Sequence, residues 1–186
     1  MARRVAVLVG SLRREAFSGK LAKAILGLAP ESLQLEILAI GQLPLYNQDY
    51  DDGGGPPESY VVFRERLKSF DAVLFVTPEH NRSIPAALKN ALDVGSRPYG
   101  KNIWDGKPGA VISVSPSAIG GFGANHHLRQ SLVFVNVPTL AQPEAYIGDA
   151  DSLFDEEGRL TDQSVRDYLG DFMAAFGQWV DAKSRG

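Results

Sequence analysis

The chain has 186 residues, of which 44% are hydrophobic and 22% charged, and its formal net charge is −3. That composition argues against intrinsic disorder and coiled coil, and the charge gives no bulk electrostatic case for nucleic acid or an anionic membrane. There is no cysteine, which excludes disulfides, thiol nucleophiles, zinc ribbons and iron–sulfur clusters.

The length fits one domain over 1–186. No stretch reaches 18 consecutive apolar residues, so no membrane insertion is expected. Arg3 and Arg4 precede an apolar run too short for a signal peptide, and the expected location is cytoplasmic. Residues 4–10 are an apolar run ending in Gly10, the pattern of a strand buried on both faces. Leu21, Ile25, Leu28 and Ala29 predict a helix over 17–29, ended by Pro30. A second strand is predicted over 33–40, and a Pro- and Gly-rich loop over 42–57. Val62, Phe63, Leu67 and Phe70 mark a helix over 58–69, followed by a buried strand at 72–77. Ile84, Leu88, Ala91 and Leu92 mark the next helix, and 109–115 the fourth strand. A helix over 124–134 and a strand within 137–147, interrupted by Pro138 and Pro143, follow. Thr161 is the expected cap of a last helix with Val165, Tyr168, Phe172, Phe176 and Trp179 inward. Strand and helix alternate throughout, which predicts an α/β domain with helices on both faces of a parallel sheet. Ligands of such sheets bind at the carboxyl ends of the strands.

Three loops therefore carry the chemistry. The first, Gly10 to Lys20, offers hydroxyls, backbone N–H groups, a helix N-terminus and Arg13, which together suit a phosphate. It has neither Walker A nor GxGxxG spacing, and a generic turn with a solvated arginine is the plain alternative. The second, Thr77 to Pro85, holds Glu79, His80, Asn81 and Arg82 between two prolines, a rigid polar edge for a planar ligand. Taken alone, His80 reads as an exposed loop histidine and Lys89 as a solvated helix residue. Asn90, a poor helix former, is expected to bond back to this loop. The third, Ser115 to Gly123, is small enough for a flat ring to approach the backbone; a flexible Gly/Ser turn is its alternative. Adjacent His126 and His127 point to different sides of a helix, so no metal is expected.

The ordered set GSLRREAFSGKLA (10–22), TPEHNRSIPAALKNALD (77–93) and IGGFGANHHLRQ (119–130), with LPLYNQD (43–49) and QPEAYIG (142–148), resembles the NADPH-dependent FMN reductase family, and within it the bacterial quinone and chromate reductase branch. The resemblance runs from Val5 to about Trp179. It implies a flavodoxin-like, three-layer α/β fold with a five-stranded parallel sheet of order 2-1-3-4-5 and one bound FMN. By that likeness Ser11, Arg13, Phe17, Ser18 and Gly19 lie at the FMN phosphate. Pro78, Glu79, His80 and Asn81 border the isoalloxazine and ribityl chain. Ser115, Ser117, Ala118, Ile119, Gly120 and Gly121 meet the ring's other edge. His80 stands where relatives often have tyrosine, Ala16 where they have serine and Ser18 where they have asparagine. Gly123 and His126 replace an arginine and a tyrosine of the family's subunit contact, while Glu144 keeps its acid.

The implied activity is hydride transfer from NADPH or NADH to bound FMN. Quinones, free flavin, azo compounds or chromate then take the electrons in a ping-pong cycle, with no catalytic side chain. Arg82 or Arg14 is a candidate for the NADPH 2′-phosphate, with a solvated arginine as the alternative. A homodimer or homotetramer is implied. The competing reading is a flavodoxin-type electron carrier. The chain lacks the acids that a receiver domain carries after its first strand, and it lacks the GxSxG elbow of an acyl hydrolase.

Overall fold

The computed structural model describes residues 2–184. Five parallel strands, β1 (Arg3–Val9), β2 (Leu33–Ile37), β3 (Ala72–Pro78), β4 (Gly109–Val114) and β5 (Ala145–Ile147), form one sheet in the order β2-β1-β3-β4-β5. Parallel neighbours need long crossovers. These contain α1 (Phe17–Leu26), α2 (Glu58–Lys68), α3 (Ala86–Gly95) and α4 (Phe122–Phe134), and α5 (Gln163–Lys183) closes the chain. This is the flavodoxin-like doubly wound order, with its switch point between β1 and β3.

Alternating side chains send each central strand into two cores. Val5, Val7, Leu74, Val76 and Ile112 pack with α1 and α5 through Leu21, Ile25, Leu169, Phe172 and Phe176. Ala6, Leu8, Val73, Phe75 and Val111 pack with α2, α3 and α4 through Tyr60, Phe63, Leu88, Leu92 and Leu128. Burial on both faces is why β1, β3 and β4 read as unbroken apolar runs.

Several boundaries differ from the sequence reading. α1 stops at Leu26, because the N–H of Gly27 turns back to the Ala24 carbonyl at 3.1 Å. β2 stops at Ile37, and Leu38 and Ile40 leave the sheet to join the α2–α4 core. Val62 is exposed, and Tyr60 takes the inward position, its hydroxyl donating to the Pro44 carbonyl at 3.0 Å. The 42–57 loop contains a helical turn at Tyr50–Gly54, anchored by a buried bidentate pair of Arg64 with Asp51 at 3.0 and 3.1 Å. α4 starts two residues before the expected point. Asp162, not Thr161, caps α5, accepting from the Val165 N–H at 2.9 Å, while the Thr161 hydroxyl donates to the Leu153 carbonyl. Tyr168 lies off the inward stripe, which runs through Leu169, Phe172, Met173, Phe176 and Val180. Among the described residues no helix is long and apolar enough to cross a membrane.

Candidate cofactor site

The carboxyl ends of β1, β3 and β4 bring the three loops together. Between them lies a cleft of about 200 Å³ lined by Ser11, Arg13, Phe17, Ser18, Pro78, Glu79 and Ser115, with Ala16, Val114 and Pro116 beside them. The strand ends approach closely at its floor. A Cβ on Gly10 would stand 3.1 Å from both Pro78 Cδ and Thr77 Oγ1, so a side chain here would oblige those groups to give by a few tenths of an ångström.

The amino end of α1 opens the first side. Its cap residue is Ala16, which supplies no acceptor, and no acid stands in the first turn. The partial positive charge of that helix end is therefore not offset by the chain itself. Ser18 is fully buried, yet its hydroxyl has no hydrogen-bond partner. A buried hydroxyl left unpaired costs about 1–3 kcal/mol. Arg13 is exposed, its N–H on the Ser11 hydroxyl oxygen at 3.3 Å and its guanidinium on the Glu15 carbonyl at 3.1 Å. Phe17 stacks on Phe154 with ring centroids 6.2 Å apart, which fixes that wall. Gly19 lies outside the lining, and its N–H is taken up by the Ala16 carbonyl at 3.0 Å.

The second loop is a tight turn. The N–H of His80 donates to the Ser83 carbonyl at 2.9 Å, and the Ser83 N–H returns to His80 at 3.0 Å. Its central residues, Asn81 (φ 51°) and Arg82 (φ 61°), are both left-handed without being glycine. A two-residue turn with both φ positive usually carries Gly, so sequence patterns gave no notice of it. His80 and Asn81 are exposed and outside the cleft lining. Glu79 lines the cleft, but its carboxylate turns toward α4. It accepts from the Ala124 N–H at 3.1 Å and pairs with the Arg82 guanidinium at 2.8 Å. The cap residue of α4 is Gly121, which has no side chain to give; Glu79 performs that task from across the cleft. Asn90 does not bond back to this loop. It holds the 42–57 loop instead, donating to the carbonyls of Leu43 (3.2 Å) and Pro44 (2.8 Å) and accepting from the Tyr46 N–H at 2.8 Å. Lys89 pairs with Asp93 on its own helix at 2.8 Å.

In the third loop the Ser115 hydroxyl accepts from the Ser117 N–H at 3.1 Å. Ser117, Ala118 and Ile119 are exposed beyond the cleft. Gly120 and Gly121 are buried with φ of 58° and 73°. A Cβ on Gly120 would lie 2.5 Å from the Tyr146 carbonyl carbon, so this glycine fixes the loop against β5. A polar network that sequence reading missed does the same. The Ser113 hydroxyl donates to the Gly120 carbonyl at 2.7 Å, Asn125 donates to Ser113 and to the Ala145 carbonyl, both at 3.2 Å, and Arg129 donates to Asn125 at 2.9 Å. The only advance signal was Asn125 and Arg129 at i, i+4 on an otherwise inward helix face.

His126 and His127 part company as expected. His126 Nε2 lies 2.8 Å from the Tyr146 hydroxyl and His127 Nδ1 lies 2.6 Å from the Ser83 hydroxyl. Burial, and next the Glu144 carboxylate, push the Tyr146 phenol up to about 12, so it stays protonated at neutral pH. Among the described residues no three His, Asp or Glu side chains group as metal ligands. A larger groove of about 310 Å³ runs between α3 and α4 past Lys89, Asp93, Arg97, His127 and Phe134. It has no uncapped helix end and no orphaned hydroxyl. The smaller cleft at the strand ends is the candidate site.

A switch-point cleft with an uncapped helix end is the setting for a phosphate-bearing cofactor. Residues 3–152 match the family model described as NADPH-dependent FMN reductase, and the chain belongs to that family. It is 60% identical over 176 residues to a quinone reductase of Pseudomonas putida, covering 95% of this chain and 94% of that one. It is 44% identical over 180 residues to the 2-hydroxy-1,4-benzoquinone reductase of a Burkholderia species, covering 97% of each. Among solved structures it resembles FerB, a flavoenzyme NAD(P)H:(acceptor) oxidoreductase from Paracoccus denitrificans. The TM-score is 0.90 at 41% identity, over 98% of this chain and 99% of that one.

Proposed function

We propose that this chain is an FMN-dependent NAD(P)H oxidoreductase that reduces quinones. Family membership supports the activity, and one observation in the cleft carries the cofactor. The buried, unpartnered Ser18 hydroxyl sits on the first turn of an uncapped helix, with Arg13 on the same cleft. A phosphate brings the acceptor oxygens and negative charge that these groups lack. FMN therefore fits the residues present. Ser11, Arg13, Phe17 and Ser18 would hold the phosphate, with Gly19 behind them and its N–H already on the Ala16 carbonyl; Pro78, Glu79, His80 and Asn81 would hold the ring and ribityl chain, and the Ser115 and Ser117–Gly121 backbone the other ring edge.

When bound, FMN supplies the redox chemistry, accepting a hydride from the reduced nicotinamide and delivering electrons to the quinone. The protein's part is to bind, orient and leave one ring face open. Backbone N–H groups of the third loop suit a ring edge that gains negative charge. No side chain is required as nucleophile or proton donor.

The same reading extends to finer points. The chain acts as one FMN-binding domain in the cytoplasm, and flavin, azo compounds and chromate are further acceptors. It assembles as a homodimer or homotetramer, for which Phe134 and Val133, exposed on the last turn of α4, offer an apolar surface. The deciding experiment is to mix the purified protein with FMN, desalt it, and titrate it anaerobically with NADPH and then a quinone. Retained flavin bands that bleach promptly and recolour with quinone are expected. Bleaching only with dithionite would instead mark an electron carrier, and no NADPH oxidation with FMN and quinone in excess would overturn the reading.

A further inference from the structure

The strained turn beside the cleft is held from both ends by one helix. The residue before it, Glu79, binds the amino end of α4 through the Ala124 N–H at 3.1 Å. The residue that closes it, Ser83, bonds His127 on the same helix at 2.6 Å. Between them Asn81 and Arg82 stay left-handed, a conformation that asparagine visits readily but that an arginine keeps only when its surroundings enforce it. The Glu79 side chain is 12% exposed and paired with Arg82. Gly123 of α4 makes room for it: a Cβ there would lie 2.9 Å from Glu79 Oε2. The carboxylate therefore ties the loop after β3 to the loop after β4, the two loops assigned to opposite edges of the flavin ring.

We propose that Glu79 is a positioning residue. It acts through α4 to fix the His80–Ser83 turn and the Ser115–Gly121 loop at the spacing the cofactor ring requires, with His127 as the second tie. The cofactor half of this statement rests on the FMN reading above; the clamp itself does not.

Two sets of measurements keep those halves apart. The first is amide hydrogen exchange on the cofactor-free protein, comparing wild type with Glu79→Ala, Glu79→Gln and Gly123→Ala. In E79A, exchange at His80, Ser83 and Ala124 should accelerate at least tenfold while the central strands keep their protection. E79Q, which retains an acceptor oxygen, should recover most of it. G123A, whose new methyl would crowd both the Glu79 carboxylate and the Arg82 carbonyl oxygen, should accelerate exchange at the same amides although Glu79 is intact. The second is FMN affinity and the flavin absorption spectrum. E79A and G123A should weaken FMN roughly tenfold, the equivalent of one charge-assisted hydrogen bond, and shift the band shape, with E79Q near wild type. Unchanged exchange at His80, Ser83 and Ala124 in both E79A and G123A would overturn the clamp. Faster exchange with unaltered FMN affinity and spectrum would overturn its role toward the cofactor. If wild type itself bound no FMN, the functional reading would fail, and the exchange data would still decide the clamp. Should E79A not fold, G123A against wild type decides both.

Discussion

Ser18 and Arg13 give the candidate site its sharpest test, because both should weaken FMN while only the Ser18 change should stabilise the cofactor-free protein. Ser18→Ala deletes a buried hydroxyl that has no partner, so the cofactor-free protein should gain about 1 kcal/mol of stability while its FMN affinity falls. Arg13→Ala should leave stability almost unchanged, since the side chain is exposed, and raise the FMN dissociation constant about tenfold or more. Thermal melts and fluorescence titration check both, and an S18A protein less stable than its parent would sink the phosphate-seat argument. Much of this site was legible in the sequence. Ser11, Arg13, Pro78, Glu79 and Ser115 converge on one cleft because each lies within a few residues of a strand's carboxyl end, and Phe17 and Ser18 join them from the first turn of α1. The side-chain partners were not legible. The bond from Glu79 to Ala124 spans 45 residues, and the tie between Asn90 and the 42–57 loop spans a similar gap; local pattern has no access to either. Asn81 is of a type that enters the left-handed region readily, but nothing local marked Arg82, which stands where such a turn usually has glycine.

Helix and loop boundaries carry the next layer of consequence. Gly120→Ala would place a methyl against the Tyr146 backbone at a φ of 58°. It should cost about 2 kcal/mol or more from backbone strain and overlap together, read as a lower urea midpoint at unchanged slope. Asp162 caps α5, and the Val165 N–H, followed by Ser164, holds its carboxyl below the ordinary range. A depressed folded-state value means that this contribution is present above the unfolded-state pKa and fades as pH falls through the folded one. Asp162→Ala should therefore lower Tm at neutral pH, and the gap from wild type should close as the buffer is taken below the carboxylate range. A gap that persists in strong acid would refute the capping role. Thr161 and Asp162 are adjacent and both capping residues, with Asp the better of the two. The choice was made by the Leu153 carbonyl, which takes the Thr161 hydroxyl and lies far from both in the local pattern. Tyr168 was misread for a related reason. Its helical spacing is sound, but its hydroxyl reaches the Glu144 carbonyl at the surface, which draws the ring off the inward stripe.

At the scale of the molecule, ligand linkage offers a check that needs no turnover. FMN at a hundredfold excess over its dissociation constant should add about 2.7 kcal/mol to stability, raising Tm, whereas riboflavin, which lacks the phosphate, should raise it far less. Equal shifts would argue against a phosphate anchor on α1. Strand–helix alternation made the parallel sheet legible, and its order followed only from the family resemblance that the motifs carry; the length of β5 was not legible, because its pairing with β4 is confined to three residues between prolines and a glycine. The two cores on opposite faces of the sheet have one more consequence. The first loop of the cleft feeds α1, which belongs to the α1–α5 core, while the second and third feed α3 and α4, which belong to the other. Close-packed layers shift as blocks, so the width of the cleft gauges how the two halves sit across the sheet. A molecule lodged there would act as a rivet through a laminate, adding its binding free energy to the cost of peeling the α1–α5 face from the strands.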